Sequence, residues 1–336
     1  MMSILATSPT CTRILAPNDS QGDPLGWPHL KKRRGRVYDP FMQRRHFFPL
    51  AAAAVPVATV AAAPPPPPPL KLDHIKVRKA GKVEIVFNSP SQQPNGLQAT
   101  KDGLWIIDQG PGNRAHLVDY QKGAVMRGFE TETESSSGIT HDGQSLWIGS
   151  TYSREIVRCD DRTGKAIERH FTPGAGVIYK MAGDAPARSS PVPENLRQKK
   201  AARPAEAPKR VGGFQMGQVD SRAPGTGAHG QEWRDGKLWF CVPPSREVYR
   251  IDPKSWVVET KFPTAGNRPH GIGWEGKYLW VTDSNLNAFF KHDPETGAMV
   301  EKIQLADNDP LPHGMTIWDG WMWYCDDVGL VCRFKI

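Results

Sequence analysis

The sequence Pro269-His270-Gly271, followed after seven residues by Leu279-Trp280-Val281-Thr282-Asp283, occurs in variant form five times along the chain. In every copy the tryptophan stands ten positions after the residue that precedes the glycine, and the last residue stands thirteen positions after it. The tryptophans of the five copies are Trp105, Trp147, Trp239, Trp280 and Trp323. This constant spacing predicts five copies of one structural unit, with each tryptophan in the core between neighbouring units rather than in a ligand site.

The distance between copies predicts the fold. The residues that precede the glycines lie at positions 95, 137, 229, 270 and 313, so successive copies are 42, 92, 41 and 43 residues apart. A period near 42 residues, with four short strands in each unit, is typical of a β-propeller. The fourth copy shows all four strands, at Gly271–Trp274, Tyr278–Thr282, Ala288–Lys291 and Ala298–Gln304. We therefore predict an all-β chain with a single propeller of four-stranded blades over residues 82–336.

The number of blades depends on the long step between the second and third copies. That step contains an insert, residues 173–226, without a Leu-Trp strand, so five blades are visible and a sixth, degenerate blade is the alternative. The last copy ends after three strands. The alternating segment Lys82–Phe87 is predicted to supply the missing outer strand and to close the ring, which would hide both sheet edges.

Composition and charge exclude several classes of protein. With 336 residues and 38% hydrophobic residues, the chain can bury a large core, so it is neither wholly disordered nor a polytopic membrane protein. The net charge is +8, but residues 1–63 and the insert each carry +5, which leaves the repeats slightly acidic. We therefore do not expect nucleic acid as a partner; a small-molecule ligand and a monomeric chain are expected instead.

The N-terminal region is typical of an export signal. Met42 is followed by the pair Arg44-Arg45, an apolar run and small residues up to Ala63, which is the layout of a twin-arginine signal. The alternative is a basic localisation patch at Lys31–Arg36 with a disordered linker behind it. The signal interpretation predicts a periplasmic or secreted protein without a membrane span after cleavage.

The signal divides the region before the propeller into three intervals. Residues 1–41 are expected to be either a disordered extension or an extension that results from a mispredicted start codon. Residues 42–63 are expected to form the twin-arginine signal peptide. Residues 64–81 are expected to form a spacer that begins with six prolines. A run of prolines forms a stiff extended segment.

The repeat also predicts where a functional site lies. The first two strands of a blade are antiparallel, so the residue before the glycine and the residue thirteen positions later meet at one mouth of the central channel. Around the ring the first position reads Asn95, Ser137, His229, His270 and His313, and the second reads Asp108, Ser150, Val242, Asp283 and Asp326. Three imidazoles and three carboxylates are therefore predicted at one opening, with the insert placed as a lid.

Two kinds of chemistry suit this set of residues. His229, His270 and His313 are candidate ligands of a divalent metal ion such as Mg²⁺ or Zn²⁺. Without a metal the histidines could act as general acid or base near neutral pH. The structural alternative is that each histidine caps backbone groups of its own blade. Asn95, Asp108 and Glu232 are further candidates, for substrate binding.

Cysteine adds one open question. Cys325 and Cys332 could face each other across a hairpin that turns at Val328-Gly329, and an exported protein could oxidise them.

The repeats resemble the virginiamycin B lyase-like group of β-propellers and, more loosely, the gluconolactonase-type propellers. The resemblance covers residues 82–336 without the insert. In the lyase, Pro-His-Ala opens a first strand, Trp-Phe-Thr-Glu closes the next, and the His and Glu open a cyclic depsipeptide by elimination, assisted by magnesium. The resemblance implies that His270 is the acid or base and Asp283 the carboxylate, with His313 and Asp326 as a second catalytic pair. This chain departs from the family in having Asp for Glu, fewer repeats and the insert.

Two functional hypotheses follow from these observations. The first is an exported propeller with a His/Asp site at the channel mouth, acting as a metal-assisted lyase or hydrolase on a cyclic ester or a related small molecule. The second is a non-catalytic module that binds a small molecule, a glycan or a protein at the same mouth.

Overall fold

The structure is a computed structural model that describes residue 70, residues 72–197 and residues 225–336. Two strands precede the repeats, β1 (Lys76–Lys79) and β2 (Glu84–Asn88). Blade 1 contains β3 (Pro94–Thr100), β4 (Gly103–Asp108), β5 (Arg114–Val118) and β6 (Val125–Glu130). Blade 2 contains β7 (Ser136–His141), β8 (Ser145–Ser150), β9 (Glu155–Asp160) and β10 (Ala166–Phe171).

The remaining three blades follow the insert. Blade 3 contains β11 (Gln231–Arg234), β12 (Lys237–Val242), β13 (Glu247–Asp252) and β14 (Val257–Pro263). Blade 4 contains β15 (Pro269–Glu275), β16 (Tyr278–Asp283), β17 (Ala288–His292) and β18 (Met299–Gln304). Blade 5 contains β19 (Met315–Trp318), β20 (Trp321–Cys325) and β21 (Leu330–Lys335), with β2 as its fourth strand. The all-β propeller predicted from the sequence is confirmed.

The repeated glycine explains how the blades close into a ring. A Cβ atom at Gly138 of blade 2 would overlap the carbonyl oxygen of His229 in blade 3, so only glycine fits between these two inner strands. A Cβ atom at Gly314 of blade 5 would likewise come within 2.5 Å of the Cα atom of Gly96 in blade 1. Blade 2 therefore contacts blade 3 directly across the insert, and blade 5 contacts blade 1. The five-blade count is confirmed, and the alternative of a sixth blade is wrong.

The repeated tryptophans fill the spaces between blades, as predicted. Trp280 of blade 4 is fully buried against Met315 and Tyr324 of blade 5. Trp323 of blade 5 packs in the same way against Leu97 of blade 1, across the closure of the ring. All five tryptophans of the repeat are at most 4% exposed. Burial of a large aromatic side chain at each interface is the main apolar contribution to holding neighbouring blades together.

The closing strand is also confirmed. β2 pairs antiparallel with β21, with Glu84 opposite Arg333, and the two side chains form an ion pair at 3.0 Å. The predicted strand, Lys82–Phe87, overlaps β2. The N-terminal side of the propeller thus completes the blade formed by the C-terminus.

β1 was not predicted. It lies within the interval assigned to the spacer, residues 64–81, and pairs in parallel with β18 as a fifth strand of blade 4. Lys76 lies opposite Glu301, and Arg78 forms an ion pair with the same carboxylate at 2.5 Å. Because charged pairing rather than apolar alternation holds β1, its sequence gives no strand pattern.

The described part of the insert packs onto the propeller without forming a strand. Apart from one turn of 3-10 helix, Glu194–Leu196, residues 173–197 contain no regular element. Val192 is buried in the cluster that contains Trp280 and Phe289. The insert is thus anchored in the core between blades 4 and 5.

The disulfide between Cys325 and Cys332 that the sequence left open does not form. Cys325 and Cys332 are both free and buried. In the hairpin Cys325 lies opposite Val331, and Cys332 lies opposite Tyr324. The two thiols belong to different core clusters, so this register keeps them apart.

The predicted extension and signal peptide, residues 1–41 and 42–63, lie outside the described residues, as does most of the insert beyond residue 197. Within the part of the chain that the structure describes, no helix is long and apolar enough to cross a membrane.

Candidate functional site

A cavity of about 490 Å³ lies at one mouth of the central channel. The repeats contribute Asn95, Gln109, Thr151, Tyr152, His229, Asn267, Arg268, His270, Asn285 and His313. The insert contributes Ile178, Lys180, Met181, Asp184, Ala185, Pro186, Ala187 and Thr226. The insert therefore borders the mouth, as the sequence predicted, and the volume is that of a small-molecule site.

The three predicted histidines converge in this cavity. The ring centroids of His229 and His270 are 4.5 Å apart, and those of His270 and His313 are 4.4 Å apart. Each histidine is at most 7% exposed. The close inner strands of blades 3, 4 and 5, which the repeated glycines permit, bring the three side chains into one row.

His229 is bound on both sides of its ring. Its Nδ1 lies 2.9 Å from the hydroxyl oxygen of Ser137, and its Nε2 lies 2.9 Å from the hydroxyl oxygen of Thr226. Its main-chain N–H donates to the carbonyl of Cys241. Both ring nitrogens are therefore engaged within the protein, and His229 serves as a structural member of the row.

His270 has a different environment. Its Nδ1 lies 3.4 Å from the carbonyl oxygen of Arg268. A carbonyl oxygen can only accept a hydrogen bond, so this contact assigns the proton to Nδ1 and leaves Nε2 as the basic nitrogen. In the neighbouring blade, His313 Nδ1 lies 3.4 Å from the amide oxygen of Asn95, which connects the predicted substrate-binding residue to the row.

Burial keeps the imidazoles neutral. Desolvation, and to a smaller extent the positive charge of Arg268, lower the pKa of His229 from 6.5 to about 3. The pKa of His270 lies well below 6.5, first because of desolvation and then because of His313, His229 and Arg268. At neutral pH both rings are therefore available as hydrogen-bond donors and acceptors and, for His270, as a base.

The predicted aspartates lie beside the mouth, and none of them is among the described residues that line the cavity. Asp283 accepts hydrogen bonds from the main-chain N–H groups of Arg268 at 2.9 Å and Leu286 at 3.0 Å. Asp108 binds the N–H groups of Gln93 and Gly110 in the equivalent place of blade 1. These carboxylates fix the connections between strands rather than presenting oxygen atoms to a ligand.

Asp326 has an additional role in holding the insert. Its Oδ1 accepts from the N–H groups of Val328 and Leu330, and its Oδ2 accepts from the hydroxyl of Ser190 in the insert at 2.9 Å. Burial raises its pKa from 3.8 to about 6, and it raises the pKa of Asp283 as well. The structure thus brings His270 and His313 together but leaves both predicted carboxylate partners outside the cavity.

Glu232 lies in the channel rather than in the cavity. It is 5% exposed, and its Oε1 accepts a hydrogen bond from the hydroxyl of Thr316 across the channel at 3.3 Å. Burial raises its pKa to about 8, although hydrogen bonds from Gln98 and Thr316 oppose the shift. Glu232 is therefore part of a polar layer inside the channel and does not contact a ligand at the mouth.

A buried ion pair fixes the insert beside the cavity. Both guanidinium nitrogens of Arg246 donate to Asp184, at 2.7 and 2.6 Å, and Arg246 also donates to the carbonyl of Tyr179. The side chains of Arg246 and Asp184 are 5% and 7% exposed. This pair holds the insert residues 179–184 against blade 3, so that they form one wall of the cavity.

Arg268 is the main residue that sequence reasoning missed. It lines the cavity two residues before His270, and it stands in only one of the five repeats, so the repeat pattern gave no reason to select it. The signal that could have found it is a positive charge immediately before a Pro-His-Gly segment at the channel mouth.

The donor set does not fit a three-histidine metal centre. Such a centre needs one free nitrogen from each ring at about 2.0–2.1 Å from the ion, and His229 has both nitrogens within hydrogen-bond distance of hydroxyl groups. Over residues 72–197 and 225–336, no group of three His, Cys, Asp or Glu side chains is arranged to hold a metal ion. The divalent metal ion stays a prediction from the sequence.

Comparisons with known proteins find similar solved structures. No family model and no curated protein matches the sequence. Among solved structures, the chain is similar to glutaminyl cyclase from Myxococcus xanthus, with a TM-score of 0.47, 8% identity, and coverage of 78% of this chain and 98% of that one. It is also similar to virginiamycin B lyase from Staphylococcus aureus, with a TM-score of 0.42, 17% identity, and coverage of 76% and 99%.

These similarities place the lyase propellers among the structural neighbours of this chain, as the Pro-His-Gly and Leu-Trp motifs predicted. At identities of 8–17% they bear on the fold alone. The chemistry of the cavity has to be judged from its own residues.

Proposed function

We propose that the chain is a lyase or hydrolase that acts on a cyclic ester or a related small molecule, with His270 as the general base. The observation that carries the proposal is the row of three buried imidazoles, with His229 and His270 neutral, in a cavity of about 490 Å³ beside the insert. A neutral imidazole with one nitrogen fixed as donor is suited to accept a proton on the other.

Two reactions of an ester suit such a base. In hydrolysis, His270 Nε2 takes a proton from water while the oxygen attacks the carbonyl carbon, and the C–O bond to the alcohol breaks. In elimination, Nε2 takes a proton from carbon, a C=C bond forms, and the electron pair of the alkyl C–O bond leaves on the carboxylate. Both reactions end with a carboxylate, and the proton on His270 returns to the alcohol or to solvent.

The proposal is tested with a panel of lactones and cyclic depsipeptides, with ring opening followed by mass spectrometry. We expect His270→Gln to lower the rate by a factor of about 10²–10⁴, the usual contribution of a general base. His141→Gln is the matched control, because His141 lies outside the cavity and pairs with Asp161 on the surface of blade 2. Turnover by His270→Gln at the wild-type rate would contradict the proposal.

A specific observation supports the alternative, a module that binds a small molecule without turning it over. Asp283 and Asp326 are engaged by main-chain N–H groups, so His270 has no carboxylate partner among the residues that line the described cavity. Tight binding of a panel compound by the wild-type protein, with no change in that compound, would favour this alternative.

Export to the periplasm or beyond the cell stays a prediction that rests on Arg44-Arg45 and the apolar run behind them.

A further inference from the structure

Arg268 is held at the cavity by its own main chain. Its N–H donates to Asp283, and its carbonyl oxygen accepts from the N–H of Ser284 at 3.1 Å and lies 3.4 Å from His270 Nδ1. Three contacts thus fix the residue at the edge of blade 4, next to the proposed base. The role of Asp283 is to position this segment.

Within the described part of the chain, the guanidinium of Arg268 makes no ion pair. Its Nη1 donates to the carbonyl oxygen of Arg188 in the insert at a long 3.5 Å. Among residues 72–197 and 225–336, no carboxylate lies within 4.0 Å of it; Asp283 and Asp327 act on its charge only at longer range. A guanidinium carries five N–H donors, so most of the donors of Arg268 remain available to a ligand.

The charge of the cavity points in the same direction. Its described lining contains two cations, Lys180 and Arg268, and one carboxylate, Asp184. Asp184 is already neutralised by Arg246, because its carboxylate accepts hydrogen bonds from both terminal guanidinium nitrogens of that residue. His229 and His270 add no charge at neutral pH, because burial lowers the pKa of each. The positive charge of Arg268, which has no carboxylate within 4.0 Å among the described residues, therefore favours an anionic ligand over a neutral or cationic one.

We propose that the cavity binds a small organic acid, with the carboxylate held by the guanidinium of Arg268. The planar fork of a guanidinium matches the two oxygens of a carboxylate, and the volume of about 490 Å³ admits a compound of modest size. This inference deepens the proposed function, because both ester reactions release a carboxylate beside His270. The binding itself does not require turnover.

The test measures binding by calorimetry with benzoate and benzamide, which share a shape and differ in charge. We expect the wild-type protein to bind benzoate at least about tenfold more tightly than benzamide. Arg268→Met should weaken benzoate binding about 10- to 100-fold, the usual effect of removing a hydrogen bond to a charged group. It should leave benzamide binding unchanged. Arg234→Met, which removes an arginine outside the cavity, is the matched control.

The outcomes separate this inference from the proposed enzyme. Equal binding of benzoate and benzamide, or unchanged benzoate binding by Arg268→Met, would overturn the inference even if His270 proves to be catalytic. Benzoate binding that depends on Arg268 would uphold it even if His270→Gln shows no loss of turnover. If Arg268→Met does not fold, Arg268→Lys keeps the charge and loses the fork, and a drop in benzoate affinity there carries the same conclusion.

Discussion

The histidines and the aspartates of the repeat were predicted to meet at one mouth of the channel, yet they serve different purposes. His229, His270 and His313 point into one cavity and contact one another at ring distances of 4.4–4.5 Å. Asp283 lies next to this row, opposite Pro269, and Asp108 holds the equivalent place in blade 1; both bind main-chain N–H groups of the connecting loops instead. One half of the predicted site thus faces the cavity, and the other half fixes the backbone.

The difference shows what decides the role of a repeated residue. The repeat determines the path of the backbone. The direction of a carboxylate side chain is determined by the nearest main-chain N–H group that has no other acceptor. Loop N–H groups two or three residues away, such as those of Gly110 and Leu286, lie closer to the aspartates than the cavity does. A buried carboxylate without hydrogen-bond donors would destabilise the fold, because its desolvation would not be compensated. The loop N–H groups therefore bind it.

The largest effect on stability is expected when an aspartate that binds main-chain N–H groups is replaced. Asp283→Ala leaves two part-buried N–H groups, those of Arg268 and Leu286, without their acceptor, and we expect it to lower the free energy of unfolding by about 3 kcal/mol. His270→Ala removes a side chain that lines a cavity and makes one long hydrogen bond, so its effect should be below about 1 kcal/mol. Urea unfolding followed by tryptophan fluorescence measures both.

Asp108→Ala is the control for the first comparison, because it removes the same contacts in blade 1, away from His270. We expect it to destabilise the protein like Asp283→Ala and to leave ligand binding intact. A larger loss of stability in His270→Ala than in Asp283→Ala would contradict the division between the two sets.

The buried histidines and the buried aspartates should also affect the pH dependence of stability in opposite directions. Native His229 has a pKa of about 3, whereas an unfolded histidine protonates near 6.5, so the unfolded chain binds more protons and stability falls as the pH falls below 6.5. Asp326 has a native pKa of about 6 against 3.8 when unfolded, so its contribution to stability rises as the pH falls through that window. Each group contributes a slope of up to about 1.4 kcal/mol per pH unit.

Unfolding free energies between pH 7 and pH 4.5 separate the two contributions. We expect His229→Gln to flatten the loss of stability toward acid and Asp326→Asn to steepen it. The same pH profile in the wild-type protein and both variants would show that neither residue is buried as described.

The sequence was sufficient for the fold because the interfaces between blades need particular residues. Only glycine fits between the inner strands at Gly138, and a buried tryptophan such as Trp280 fills each interface, so both had to recur at constant spacing. β1 escaped prediction because it pairs with β18, a distant part of the chain, and one ion pair, between Arg78 and Glu301, joins residues 223 positions apart. No local pattern reports such a contact.

The site was predicted in part. The convergence of the histidines follows from strand geometry, which the repeat contains. The direction of Asp283 and Asp326 depends on loop N–H groups and on Ser190 of the insert. The importance of Arg268 depends on its place at the cavity and on the absence of a carboxylate within 4.0 Å of it among the described residues. These are properties of the packed structure that residue spacing alone does not express.

The central claim is that the imidazoles of His229 and His270 are neutral and line the cavity at the channel mouth. Ring nitrogen chemical shifts of His229 and His270, measured by NMR between pH 7.5 and pH 5, test it most directly. We expect both rings to stay neutral at pH 5, with the proton of His270 on Nδ1, because burial lowers the pKa of each. Conversion of either ring to imidazolium near pH 6.5 would contradict the claim.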